Sequence, residues 1–309
     1  MTCPLRIVLP SKGEMEAPTL NFLAAAGLPV SRPNPRQYQA TMPAVPNAAV
    51  VFQRVDDVVN QVADGSADLG IAGLNNVRES QRGRDSLIIV VEDLGYSGCE
   101  LVLAVPDTWI DVATIGDLAD VALEFRERGR DLRIATKYRH LTSEFLLRKG
   151  ITHFTLVDSQ GAMEAAPNIG NADLIADLTS SGTTLRENHL KTIVGGTILR
   201  SQACLIANRT TLRGCPDRLA GVRKILELIR SAPTRNRLSP DHRQYPRRIG
   251  RAGRRPDLGA PRAGRPRWTN REPGLWQGGP TAGMLSLSSF VRTSCSTLWS
   301  TSERSAAAA

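Results

Sequence analysis

Histidine and cysteine, the residues that most often hold transition metals or act as nucleophiles, are scarce in this chain: four His and five Cys in 309 residues. Cys3, Cys99, Cys204, Cys215 and Cys295 fall at no metal or redox spacing, which excludes a zinc ribbon or a CxxC motif and reads most simply as reduced, partly buried thiols. His140, His153 and His189 show neither metal spacing nor a nucleophile partner and read as surface or packing residues. No stretch approaches the uninterrupted apolar length of a membrane span, and the start lacks a basic-then-apolar signal pattern, so the expectation is a cytoplasmic protein with no membrane partner. Lysine is absent from position 230 onward, where there are 15 Arg and only 4 acidic residues. The formal charge of +9 is therefore a property of that tail: upstream of it stand 24 basic and 26 acidic residues. A nucleic-acid partner would rest on the tail alone, and basic arms of that kind mix Lys with Arg.

What is present upstream is alternation. Leu5 to Leu9 reads as a strand and Glu14 to Ala26 as a helix ended by Gly27. Ala49 to Phe52, Leu69 to Ala72 and Leu87 to Val91 are short strand-type runs, with a helix over Asp56 to Asp64. A second set follows: a strand over Glu100 to Val105, a helix over Ile115 to Arg128, a strand over Arg133 to Thr136, a helix over Ser143 to Lys149, then strands over Phe154 to Val157 and Leu174 to Asp177. The chain returns through strands at Thr197 to Arg200 and Cys204 to Ala207 and a helix from Pro216 to Ile229. Strands alternating with helices predict an α/β fold.

Between these elements, DLTSSGTTLRENHL at 177–190 has the chemistry of a phosphate cradle. A buried strand runs into Thr179, Ser180, Ser181, Gly182, Thr183 and Thr184, which supply hydroxyls and closely approaching N–H groups, and a helix from Leu185 adds the positive end of its dipole. An ordinary capped helix start uses the same residue types.

Read in order with LRIVLPSKGEMEAPTLNFL, RPNPRQY, FQRVDDVVNQVADGSADLGIAGL, EDLGYSGCELVLAVP, RIATKYRHLTSEFL and GGTILRSQACLIANR, this block resembles the ATP phosphoribosyltransferases, which open histidine biosynthesis; the likeness runs from about Leu5 to Ile229. It implies two α/β lobes of the periplasmic-binding-protein type with the active site between them, lobe I from 1–97 and 191–229 and lobe II from 98–190. It implies ATP and phosphoribosyl pyrophosphate as substrates, Mg²⁺ carried mainly by substrate oxygens with no protein metal cage, and a homo-oligomer, dimer or hexamer. Thr179, Ser180, Ser181, Gly182, Thr183, Thr184 and Leu185 match the site for the donor's 5-phosphate. Asp177 and Glu164 are candidates for the ribose hydroxyls, and a carboxylate at Glu164 serves equally as a cap or surface group. Lys12 and Arg54 follow the first two strands and are candidates to neutralise phosphate charge, a solvated lysine and a structural ion pair being the alternatives. Lys137 and Tyr138 stand at a strand's carboxyl end, where open α/β sheets place ligands. Two departures stand out: Arg139 replaces a frequent Pro, and AGLNN at 72–76 replaces the usual GLD or GED, removing an expected acidic contact.

The tail has a separate explanation. An Arg-, Pro- and Gly-rich text without Lys is what a GC-rich gene yields out of frame, and back-translating Pro240 to Pro246 permits LITANI one base along. Shifting Gly283 to Ala309 by two bases permits YAVSVIVRPDQLLDAVEHLRAIGGSG, which resembles the regulatory domain of the family's long form. Residues 230–309 thus read as a disordered, out-of-frame remnant of that domain, with a genuine disordered extension as the alternative. For the whole chain the rival readings are a non-catalytic two-lobed small-molecule-binding protein and an inactive or unregulated remnant of the transferase.

Overall fold

LRIVLP at 5–10 is buried at every position except Arg6, and a strand apolar on both faces has to lie inside a sheet covered on both sides. In the computed structural model, which describes residues 3–34, 37–158 and 163–231, it is β1 (Leu5–Pro10) at the centre of the first lobe. The chain continues through α1 (Glu16–Ala25), β2 (Gln39–Thr41), β3 (Ala48–Gln53), α2 (Val55–Asp64), β4 (Leu69–Gly73), α3 (Leu74–Ser80) and β5 (Leu87–Val91). It then builds β6 (Cys99–Pro106), α4 (Ile115–Glu127), β7 (Leu132–Thr136), α5 (Arg139–Arg148), β8 (Phe154–Val157), β9 (Leu174–Thr179), α6 (Thr183–Glu187) and β10 (Leu190–Ser201). β11 (Ala203–Asn208), α7 (Arg209–Arg213) and α8 (Pro216–Ser231) complete it.

Two sheets result, ordered β2-β3-β1-β4-β11-β5 and β10-β6-β9-β7-β8. The two-lobed α/β expectation is met, with one correction at the boundary. β10 pairs antiparallel with β6, so the second sheet runs to Ser201 and the chain recrosses at Gln202, not at 190. Only Thr197 to Arg200 of this strand was legible, because Gly195, at φ 78°, and Gly196 interrupt its alternation and shift its register. At the other end α8 runs on to Ser231, past the expected end at Ile229; the tail beyond it lies outside the described residues.

Each core forms where a helix covers its sheet. Val58, Val59 and Val62 of α2 are fully buried against Val8, Ala72, Cys204 and Ile206, each such side chain contributing about 1.5–3 kcal/mol. In the second lobe Leu118, Ala122 and Phe125 of α4 pack on Leu103, Ile134 and Leu174.

The lobes share an electrostatic device. Arg6, second residue of β1, binds the carboxylate of Asp68, which directly precedes the parallel neighbour β4: N–H to Oδ2 2.9 Å, Nε to Oδ2 3.2 Å, Nη2 to Oδ1 2.8 Å. Arg133, second residue of β7, binds Asp173, which lies next to the first residue of β9, in the same way, at 2.8, 3.3 and 3.1 Å. Asp68 is fully buried and also accepts from Arg218 of α8 at 3.1 Å. Burial alone would raise its carboxyl, but the Arg6 side-chain and main-chain bonds, the Thr211 bond and the Arg6 charge hold it below the usual carboxylate range.

Replacing Asp68 with Ala leaves the two guanidinium groups without their carboxylate, and we expect a loss of about 3 kcal/mol in urea unfolding. Because the folded carboxyl is depressed, its contribution is complete above the unfolded value near pH ~4 and fades as pH falls through the folded value. The variant should therefore lose less stability than the parent on acidification below that point.

Candidate active site

Parallel strands deliver their carboxyl ends to one edge, and here two such edges meet. β1, β3 and β4 run parallel and release Lys12, Arg54 and Asn75. β7, β8 and β9 run parallel and release Lys137, Tyr138 and the loop after Thr179. Asn75 Nδ2 donates to the Tyr138 phenol oxygen at 2.9 Å, so the edges face one another across a cleft.

Asn75 is almost completely buried, and each part of its amide is engaged. Its main-chain N–H donates to Ser201 Oγ at 3.0 Å, Ser201 Oγ donates back to Asn75 Oδ1 at 2.8 Å, and Nδ2 also donates to Asn76 Oδ1 at 2.7 Å. Asn76 in turn donates to Asp56 of α2. The AGLNN departure noted in the sequence is thus an amide relay running from the recrossing of the chain to the second lobe. Burial pushes the Tyr138 phenol above its ordinary range, with the Asn75 bond acting the other way. Tyr138, expected at the ligand end of β7, has a hydroxyl that already receives a bond from the opposite lobe.

Glu79 of α3 makes a second tie. Its carboxylate accepts the N–H groups of His140 and Leu141 at 2.9 and 3.0 Å, capping α5 from the other lobe. This is why α5 begins at Arg139 and not at Ser143: its cap is absent from its own sequence. Arg139, the replacement for Pro, pairs with Asp158 at 2.9 Å.

In the second lobe Asp177, Glu164 and Lys137 gather at the end of β9. Burial raises the Asp177 carboxyl most; the Glu164 charge raises it further, while the Leu178 N–H and the Lys137 charge pull it down, leaving it above the usual range. β9 runs two residues past Asp177, and the loop turns at Gly182, whose φ of 71° lies in the left-handed region. Gly182 N–H donates to Thr179 Oγ1 at 2.8 Å, and Ser181 Oγ donates to Thr183 Oγ1 at 3.0 Å. Arg186 leans back over the turn, donating to the Ser181 carbonyl at 3.2 Å and Thr183 Oγ1 at 3.1 Å. Ser180, Ser181, Thr183 and Thr184 are exposed.

Two expectations change here. α6 is a five-residue helix beginning at Thr183, so its contribution is a set of local N–H groups and not the dipole of a long helix. Leu185 sends its side chain into the core with Val102, Ala135, Ile175 and Leu190, where it anchors the loop from beneath. Lys12 and Arg54 are exposed at the first-lobe edge. Asn75, Ser201 and Glu79 went unassigned from the sequence; of these only the Asn75 departure left a signal. Among the described residues no cluster of three or more His, Cys, Asp or Glu is arranged to hold a metal, and no helix is long and apolar enough to cross a membrane.

The profile of the ATP phosphoribosyltransferase (HisG) family matches residues 54–231. The chain belongs to that family. It is 44% identical over 227 residues to ATP phosphoribosyltransferase 2, chloroplastic, of Arabidopsis thaliana, covering 73% of this chain and 54% of that protein, so it spans about half the length of that relative. It is 42% identical over 208 residues to the ATP phosphoribosyltransferase of Mesorhizobium japonicum, covering 66% of this chain and 90% of that one. The fold is that of a chain in the ATP phosphoribosyl transferase complex from Thermotoga maritima, at 23% identity and a TM-score of 0.54 over 73% of this chain and 98% of that chain.

Proposed function

We propose that this phosphoribosyltransferase-family chain moves the 5-phosphoribosyl group of phosphoribosyl pyrophosphate to N1 of ATP, releasing pyrophosphate, the first step of histidine biosynthesis. The observation that carries the reading is the exposed hydroxyl loop at the end of β9 beside the Asp177–Glu164 carboxylates, in a cleft closed by Asn75 and Tyr138. Family membership supports pentosyl transfer as the class of reaction.

In this reading N–H and hydroxyl groups of Thr179 to Thr184 hold the 5-phosphate, an arrangement that a dianion suits and a bulky side chain would block. Asp177 and Glu164 accept the ribose hydroxyls and fix C1 in line with the incoming nitrogen. The C1–O bond breaks with its electron pair leaving on pyrophosphate, and N1 of adenine bonds to C1. Lys137 on one edge and Lys12 and Arg54 on the other counter the charge of the departing group and of the ATP phosphates. When bound with the donor, Mg²⁺ would supply Lewis acidity to the departing pyrophosphate, and Asp177 and Glu164 are the carboxylates that would contribute an oxygen to hold it. Self-association as a dimer or hexamer belongs to the same reading. So does the altered frame beyond Ile229, which resequencing the codons for 229–283 decides.

Mixing folded protein with Mg²⁺ and both substrates should raise ultraviolet absorbance as N1-substituted adenine forms. Donor binding without product would favour the non-catalytic reading instead. Gly182→Asp places a carboxylate in the phosphate space and a Cβ 3.1 Å from Arg186 Nη1, and should weaken donor binding by about a hundredfold or more while leaving ATP binding in place. Because Asp177 works ionised and its folded carboxyl is raised, kcat/KM for the donor should fall as pH drops through a value above the ordinary ~4. Asp177→Asn should remove that acid limb.

A further inference from the structure

Tyr138 is held at three points. Its N–H donates to Thr136 Oγ1 at 3.0 Å, its carbonyl accepts the Thr142 N–H at 3.0 Å, and its phenol oxygen accepts Asn75 Nδ2 at 2.9 Å. The groups behind Asn75 set the direction of that last bond. The Asp56 carboxylate only accepts, so Asn76 turns its Nδ2 toward Asp56 and its Oδ1 toward Asn75. Asn75 then offers Nδ2 to both Asn76 Oδ1 and the phenol, while its own Oδ1 is filled by the Ser201 hydroxyl. Turning either amide over would set oxygen against oxygen. Tyr138 is therefore an acceptor toward the first lobe, and its one hydrogen is left over: no described residue accepts it.

We propose that Asn75 is a positioning residue, which fixes the Tyr138 phenol as a hydrogen-bond donor to an oxygen of the departing pyrophosphate; the proposal rests on the transferase reading above. Thr136, the last residue of β7, pairs with Ala176 of β9, so the two strands end side by side and Tyr138 leaves its strand next to Asp177. A ribose whose hydroxyls rest on Asp177 carries its pyrophosphate on the adjoining carbon. Burial first of all keeps the proton on the phenol, the Asn75 bond acts the other way, and the Asp177 charge reaches the phenol and raises it further.

The chemistry follows from the direction of the bonds. A phenol oxygen that accepts an N–H is polarised and donates more strongly through its own O–H. The pyrophosphate oxygens gain negative charge as the C1–O bond breaks, and a donor already aimed at them stabilises the transition state more than the bound substrate. The proton stays on the phenol throughout. Lys137, the preceding residue, supplies charge without direction, and Tyr138 supplies direction without charge. An aspartate at position 75 would invert the relay, because its carboxylate would take the phenol hydrogen for itself.

The test compares the full-length parent with Tyr138→Phe, Asn75→Asp and the double variant. We expect Tyr138→Phe, which removes one oxygen from a half-buried residue, to lower kcat about tenfold or more while donor KM moves less than about threefold. In calorimetry its affinity for pyrophosphate with Mg²⁺ should fall about tenfold. Asn75→Asp should lose as much, and adding it to Tyr138→Phe should lose nothing further, which a merely structural role would not produce. Where Asn75→Asp fails to fold, Asp56→Asn at its exposed position releases the relay, and should lower kcat in the parent but not in the Tyr138→Phe background. Parental kcat and pyrophosphate affinity in Tyr138→Phe, or losses at the two positions that add, overturn the inference and leave the transferase reading standing. A parent chain that binds no pyrophosphate and forms no product overturns both.

Discussion

The buried amide of Asn75 is the constraint on which the cleft depends. One side chain joins the strand end of the first sheet, the recrossing of the chain at Ser201 and the phenol of Tyr138 in the second lobe. Such a group is costly to bury unless every donor and acceptor is used, and here all are, so the relay specifies one relative placement of the two carboxyl edges. An aspartate in the same place would accept the Ser201 hydroxyl but would have no N–H to give Tyr138. The Asn75 amide therefore ties the lobes together as well as shaping what a ligand would meet.

Stability and chemistry occupy opposite ends of the strands. The Arg6–Asp68–Arg218 and Arg133–Asp173 pairs lock the amino ends, with their carboxylates drawn from water and neutralised. At the carboxyl ends burial raises Asp177 and the neighbouring Glu164 charge raises it further, an arrangement that costs folding energy and suits a site awaiting polar partners. The hydroxyl loop is held by bonds to its own residues and by Leu185 beneath it, leaving its outer donors to solvent.

How much of this was legible follows from how local each signal is. Uninterrupted apolar runs such as LIIVV at 87–91 declare themselves because both faces are apolar, and the strand was read with its true limits. The start of α5 was missed because its capping carboxylate comes from Glu79, some sixty residues away in sequence. β10 was read as a fragment because an edge strand with a Gly-Gly bulge carries neither period, and the lobe boundary moved with it. α3 escaped because LNNVRES opens with two poor helix formers, held helical by Ser201 and the Gln202 carbonyl, which binds the Leu74 N–H at 2.9 Å. The loop's chemistry was visible in its residue types. The role of Tyr138 was not, since a phenol at a strand end reads alike whether it meets a ligand or an amide.

The most direct test of the account is a crystal structure of this chain with phosphoribosyl pyrophosphate and Mg²⁺. The account predicts the 5-phosphate within hydrogen-bond distance of the main-chain N–H groups between Ser181 and Thr184, with the ribose hydroxyls on Asp177 and Glu164. A 5-phosphate seated on Lys12 and Arg54, with the loop after β9 empty, would contradict it.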